Sequence, residues 1–202
     1  HTLVRAEKSG PAQEAYNRRT QECREALALI RGALNDADWV RDESFSKAQL
    51  VDRVCIHDLV ESGETHLPEV LARRFRHVVT EGARVYDAEH ALRRDDRLTF
   101  GLLMNASHQS LRDDYEVSSP ELDRLVELAL GAGASGARLT GAGFGGCMVA
   151  LCGEDRLEHT LEAMEAGYYR EHGYSRERDL PTPLDQVLFV AEAREGASVS
   201  EL

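Results

Sequence analysis

The chain has 202 residues, 42% hydrophobic and 30% charged, which fits one medium domain or two small ones with a real core. Its 36 acidic and 24 basic residues give a formal net charge of -12, spread along the chain, which argues against nucleic-acid binding, since that rests on neutralising phosphates. No apolar run approaches the ~20 residues that cross a bilayer and nothing resembles a signal peptide, so a cytoplasmic protein with no membrane partner is expected.

The opening HTLVRAEKSGP has no initiator Met, and His1 to Val4 reads like the end of a strand, so a piece of a longer protein is expected. From Pro11 to about Leu34, Ala15, Cys23, Ala26, Leu27, Ile30 and Leu34 recur at helical spacing, with Pro11 suited to a first turn. Asn35 to Phe45, acidic around Trp39, reads as a loop, Phe45 to Cys55 as a short helix, and Glu61 to His66 as a turn holding Gly63. After Pro68 a second long helix puts Val70, Leu71, Phe75, Val78, Val79, Val85, Ala88 and Leu92 close to one face. Asp95 and Asp96 interrupt it, and Leu98 to about Ser110 is helical again.

Ser119-Pro120-Glu121 gives a helix start, with Ser as N-cap and Pro at the first position, and that helix ends at Gly131. Ala137 to Leu139 and Gly146 to Cys152 are predicted strands, the second buried on both faces. Arg156 to His172 is predicted helix and Gln186 to Ala193 a last strand. Helices leading into strand, helix, strand make the fold α+β: a small antiparallel sheet covered by helices on one face, with long helices before it.

Between the two central strands, Gly141, Gly143, Gly145 and Gly146 can take positive φ and let another backbone or a ligand approach closely. A phosphate-binding βα turn would need a helix after these glycines, and a strand follows, so that reading fails. A hairpin with a bulge and a ligand site both remain open on these residues alone. Cys23, Cys55, Cys147 and Cys152 form no metal-binding spacing and read as reduced, buried thiols. The eight histidines share no metal-binding face, and His77 and His108 fall in apolar stretches, as satisfied core histidines do.

LTGAGFGGC, residues 139–147, resembles the third signature motif of the GHMP small-molecule kinases. Within that superfamily, HQSLRDDYEVSSPELDRLVELAL (108–130) is similar to the galactokinase segment leading into this motif. FRHVVTEGARVYDAEHAL (75–92) resembles its long helix, although galactokinases usually carry Asn where this chain has Gly82. HTL followed by AYNRRTQECREAL (15–27) resembles the strand end and Tyr-x-x-Arg-Arg helix near the middle of those enzymes.

The resemblance implies a GHMP kinase C-terminal domain with a ferredoxin-like core over residues 11–202, preceded by the end of an N-terminal-lobe strand and a linker over 1–10. It implies an enzyme that transfers phosphate from MgATP to the anomeric hydroxyl of galactose. ATP and Mg²⁺ would be bound mainly by an N-terminal lobe outside this chain, leaving the segment inactive alone and without a catalytic or metal-binding residue of its own. Tyr16 aligns with a tyrosine that contacts galactose, a task suited to a ring that covers a sugar face while its hydroxyl finds a polar partner. Thr140, Gly141, Gly143, Phe144, Gly145 and Gly146 would support the nucleotide and its phosphate loop, either by direct N–H contact or by close packing. Phe144 would wedge into the domain junction. Arg112, Asp113, Asp114 and Tyr115 look like a scaffold for the glycine loop, and Arg18 and Arg19 like solvated or structurally paired charges. Rival readings are a galactokinase-like sugar and nucleotide sensor acting on a partner protein, and a kinase of the same superfamily for a related sugar.

Overall fold

The computed structural model describes residues 1–4, 10–33, 56–172, 174–175 and 182–192. The predicted loop over 35–45 and helix over 45–55 lie outside these residues. The elements are α1 (Pro11–Ala33), α2 (Ile56–His66), α3 (Glu69–Arg93), α4 (Arg97–Asp113), α5 (Pro120–Gly131), β1 (Gly136–Thr140), β2 (Cys147–Leu151) and α6 (Glu154–Met164). A π-helical turn, Glu165–Tyr169, and a 3₁₀ turn, Arg170–His172, extend α6.

The predicted turn at Glu61–His66 is instead the second half of α2. Gly63 is tolerated there because it sits against the Phe75 ring of α3, where a Cβ would come within 2.7 Å of Cδ1. Helices α1, α2 and α3 share an apolar core of Ala26, Ile30, Leu59, Leu71, Phe75 and Val79. Of the apolar stripe predicted along α3, Leu71, Phe75 and Val79 are buried against α1 and α2. Val70 at its start and Val85 and Leu92 in its second half are 41%, 68% and 61% exposed, outside that shared core.

The α3–α4 turn uses Asp95 at φ 52 and Asp96 as N-cap, its carboxylate accepting from the Thr99 N–H at 3.0 Å. Helix α4 then lies along β1 closely enough that a Cβ on Gly101 would sit 2.3 Å from the Ser135 carbonyl oxygen. Its side chains take the place of a neighbouring strand. Asn105 Oδ1 accepts from the Ala137 N–H at 2.8 Å, and His108 Nδ1 accepts from the Leu139 N–H at 3.3 Å. The edge of β1 is thereby satisfied by a helix.

β1 and β2 form an antiparallel hairpin in which Arg138 pairs with Val149 and Leu139 with Met148. Ala137 and Leu139 point into cores completed by α5, α6 and the π-helical turn. Helix α5 starts where the sequence indicates, with Ser119 Oγ accepting from the Leu122 N–H and Pro120 in the first turn. β2 corrects the prediction of a strand buried on both faces: Cys147 and Val149 are exposed and Met148 is half-buried, so one face is open. Cys147 is accordingly an exposed thiol, Cys152 is partly covered and Cys23 is buried. The predicted last strand over 186–193 is also corrected: Leu184–Gln186 is a 3₁₀ turn, no strand follows among the described residues, and Phe189 is 71% exposed. A two-residue parallel pairing joins Tyr174–Ser175 to Thr182–Pro183.

Candidate functional site

The glycine loop, residues 141–146, is held from two sides. On one side the Phe144 N–H donates to the Val117 carbonyl at 2.7 Å, and Gly143, at φ 83, lies so close that a Cβ there would fall 2.0 Å from the same oxygen. On the other, Gly145 at φ 119 leaves a would-be Cβ 2.9 Å from the Val4 carbonyl. The Gly146 N–H donates to that carbonyl at 3.0 Å, and the Gly146 carbonyl accepts from the Thr2 N–H at 2.7 Å and from Thr2 Oγ1 at 3.0 Å. Glycine is required at 143 and 145 because backbone approaches on the side where a Cβ would project, at φ values that side chains avoid.

The outer rim differs. Gly141 and Ala142 are exposed, a Cβ on Gly141 or Gly146 would touch nothing within 4 Å, and Thr140 is exposed opposite Cys147. Phe144, predicted as a wedge between domains, is half-buried at φ 59 against Leu111, Val117, Leu122 and Leu139 of its own lobe. Two amides of the loop, those of Phe144 and Gly146, are thus committed to the Val117 and Val4 carbonyls of this chain and do not face outward.

The turn at 114–117 that seats the loop also grips α1. Tyr16 is 43% exposed on that helix. The Tyr115 hydroxyl of the turn is pushed above the usual phenol range by burial first, then by the charges of Cys23 and Tyr16. The Tyr115 ring stacks on His77 with centroids 4.5 Å apart. Arg74 of α3 is 1% exposed and runs through the junction. Its Nε donates to Glu22 of α1 at 2.7 Å, one terminal nitrogen donates to the Asp114 carbonyl, and the other reaches Glu116 at 2.5 Å. Glu116, at φ 56, also pairs with Arg19 at 3.3 Å and Arg73 at 2.9 Å. Arg76 holds Asp114 at 2.7 Å, and Ser110 Oγ donates to the other oxygen of that carboxylate at 3.0 Å. Asp113 turns outward to Arg112. Arg18 is exposed, whereas Arg19 is half-buried in the cluster.

Two buried histidines brace the same region. His77 Nδ1 meets Ser110 Oγ at 3.0 Å, and burial, opposed in smaller measure by Glu81 and reinforced by Arg84, pushes its pKa down to about 4. His108 accepts the Leu139 N–H on Nδ1, which leaves Nε2 as the protonated nitrogen, 3.2 Å from Asp123. Burial lowers its pKa as well, keeping it neutral in the tautomer that β1 requires.

The Tyr16 helix and the glycine loop, far apart in sequence, therefore rest on one turn. Of the residues that do the joining, Glu116 and Val117 lie within the family-like 108–130 segment but carry no role in the sequence reading, and Arg74 carries no local sequence signal. A groove of about 270 Å³ lies elsewhere, among Val85, Phe100, Met104, Arg138 and Val149, and none of its lining comes from α1 or the loop. Among the described residues no three His, Cys, Asp or Glu converge as a metal site. Nor is any described helix long and apolar enough to cross a membrane.

Comparison with known proteins gives the class first: residues 88–170 match the family model GHMP kinases C terminal, and this part of the chain is a GHMP kinase C-terminal domain. Over most of its length the chain is similar to galactokinases in particular. It is 42% identical over 168 residues to the galactokinase of Staphylococcus carnosus, covering 81% of this chain and 39% of that protein. It is 40% identical over 187 residues to that of Haemophilus influenzae, covering 91% and 42%. The solved structure of Lactococcus lactis galactokinase complexed with galactose superposes with a TM-score of 0.70 at 35% identity, over 86% of this chain and 41% of that one. The chain thus spans about two fifths of the length of the relatives it matches.

Proposed function

We propose that this chain is the C-terminal part of a galactokinase whose intact form transfers the γ-phosphoryl group of ATP to the anomeric hydroxyl of galactose, giving galactose 1-phosphate and ADP. The observation that carries the reading is the convergence of the Tyr16 helix and the glycine loop on the turn at 114–117, in a chain about 40% identical to galactokinases over most of its length. In this reading residues 1–10 are the end of an N-terminal-lobe strand and a linker, residues 11–202 are the C-terminal domain, and the protein acts in the cytoplasm.

Tyr16 offers its exposed ring to one face of the pyranose. The loop from Thr140 to Gly146 presents a rim without bulky side chains, against which the nucleotide-binding lobe packs. Because the amides of Phe144 and Gly146 are used internally, the loop acts mainly by close packing, and any amide contact to phosphate falls to the exposed rim at Gly141 and Ala142. Mg²⁺, which neutralises charge on the transferred phosphoryl group when bound, has no ligand set among the described residues and belongs to the other lobe. This segment's contribution is orientation of sugar and phosphate loop.

The test is ADP release by the intact protein across a sugar panel, with Tyr16→Ala beside wild type. Galactose should be the preferred acceptor, and loss of the ring should raise its KM about tenfold or more, since a buried aromatic contact contributes a kcal/mol or more. An unchanged KM for galactose in Tyr16→Ala would remove Tyr16 from the site, and no sugar-dependent ADP release would remove the reaction.

A further inference from the structure

The galactokinase-like reading leaves unexplained why Glu116 holds a left-handed backbone, φ 56, that a residue with a long side chain avoids. Its carboxylate faces Arg19, Arg73 and Arg74, from two helices, at 3.3, 2.9 and 2.5 Å. The next carbonyl along the chain, that of Val117, is the acceptor on which Phe144 is hung. On the far side of the same cluster, Glu22 takes both Arg74 at 2.7 Å and Arg19 at 3.3 Å. Glu22 lies on α1 with Tyr16, and Arg19 is one helical turn from Tyr16.

We infer that Glu116, with Arg74 as its buried partner, is a positioning residue that fixes the spacing between the sugar-contacting helix and the glycine loop. The three arginines draw the carboxylate toward α1 and α3, which turns residue 116 left-handed and aims the Val117 carbonyl at the loop. A buried ion pair is a poor source of net stability but a sensitive fixer of geometry, since either partner left alone is an uncompensated charge. Tyr16 and the loop then move as one body when the turn moves. Without the carboxylate, α1 keeps only the Arg74 link between Glu22 and the Asp114 carbonyl, further along the turn from the Val117 seat, and loses the Arg19 contact to the turn.

This inference rests on the proposed kinase reading for its activity arm but not for its structural arm. The experiment is Glu116→Gly in the intact protein, with Glu116→Gln beside it. Glycine accepts φ 56 without penalty, so the backbone survives while the clasp is removed. Two readouts are taken: turnover per folded active site with KM for galactose and ATP, and hydrogen exchange at the Phe144 amide. Both variants should lose tenfold or more in kcat with KM values within about threefold, the signature of misplaced but still bound reactants. The Phe144 amide should exchange at least tenfold faster while the Ala137 and Leu139 amides, held by Asn105 and His108, keep their protection. Wild-type kcat and wild-type Phe144 exchange in Glu116→Gly would overturn the inference, as would activity lost only in proportion to folded protein. If wild type itself fails to phosphorylate galactose, the proposed function falls while Phe144 exchange still decides the role of Glu116.

Discussion

Replacing Gly143 by alanine puts a methyl group where the Val117 carbonyl oxygen stands, 2.0 Å from the Cβ position, at φ 83. Two costs combine. The left-handed conformation costs a side-chain-bearing residue roughly 1–2 kcal/mol, and an overlap with backbone, which no rotamer change relieves, adds the ~1–3 kcal/mol typical of overpacking. The expected total is about 2–5 kcal/mol, or a fall in Tm of roughly 4–20 °C for a cooperative unit of this size. Gly141→Ala is the matched control, since Gly141 has a similar φ of 85 and nothing within 4 Å of its would-be Cβ. It should lose only the backbone contribution, about 1–2 kcal/mol. Thermal and denaturant unfolding of the intact protein and both variants measures the difference. Equal losses in the two variants would refute the claim that the loop is seated on Val117.

The contact between α4 and β1 makes a second test: Gly101→Ala should lower Tm although alanine is the better helix former by ~1 kcal/mol, because its methyl would meet the Ser135 carbonyl at 2.3 Å, while Gly32→Ala, in open space on α1, should leave Tm equal or higher. An unchanged Tm in Gly101→Ala would mean the close approach is absent. His77, with its pKa pushed down to about 4, stays neutral in the folded protein while the unfolded chain takes up a proton below the ordinary value of 6.5. Its contribution to stability is complete above that value and is lost as pH falls toward 4, reaching about 2 kcal/mol by pH 5. Wild type should therefore lose more stability than His77→Gln between pH 7.5 and pH 5, and parallel pH profiles would refute the assignment.

What the sequence made legible followed from local chemistry. Ser119 and Pro120 announce the start of α5, and the apolar spacing of Cys23, Ala26 and Ile30 marks the buried face of α1. Errors arose where a distant partner decides. Gly63 reads as a turn until the Phe75 ring that needs its bare face is known. Val85 and Leu92 continue an apolar stripe that outruns the core shared with α1 and α2. CMVAL reads as doubly buried, yet only one face meets α5 and α6.

The same holds at the site. The Tyr16 helix and the glycine loop were visible through family motifs, but Arg74 pairs with residues 52 and 42 positions away, and nothing around it in sequence distinguishes it from Arg73 and Arg76, which stay partly open to solvent. The selection of Val117 as the seat of the loop is a matter of backbone geometry, visible only once β1 and the 114–117 turn are folded together.

The most direct test of the central claim is phosphorus NMR of the intact protein incubated with galactose, ATP and Mg²⁺, with the 202-residue segment run in parallel. A galactose 1-phosphate resonance growing with the intact protein, and none with the segment alone, is the expected result. Absence of that resonance from an intact, folded protein, or its appearance with the isolated segment, would contradict the division of labour proposed between the two lobes.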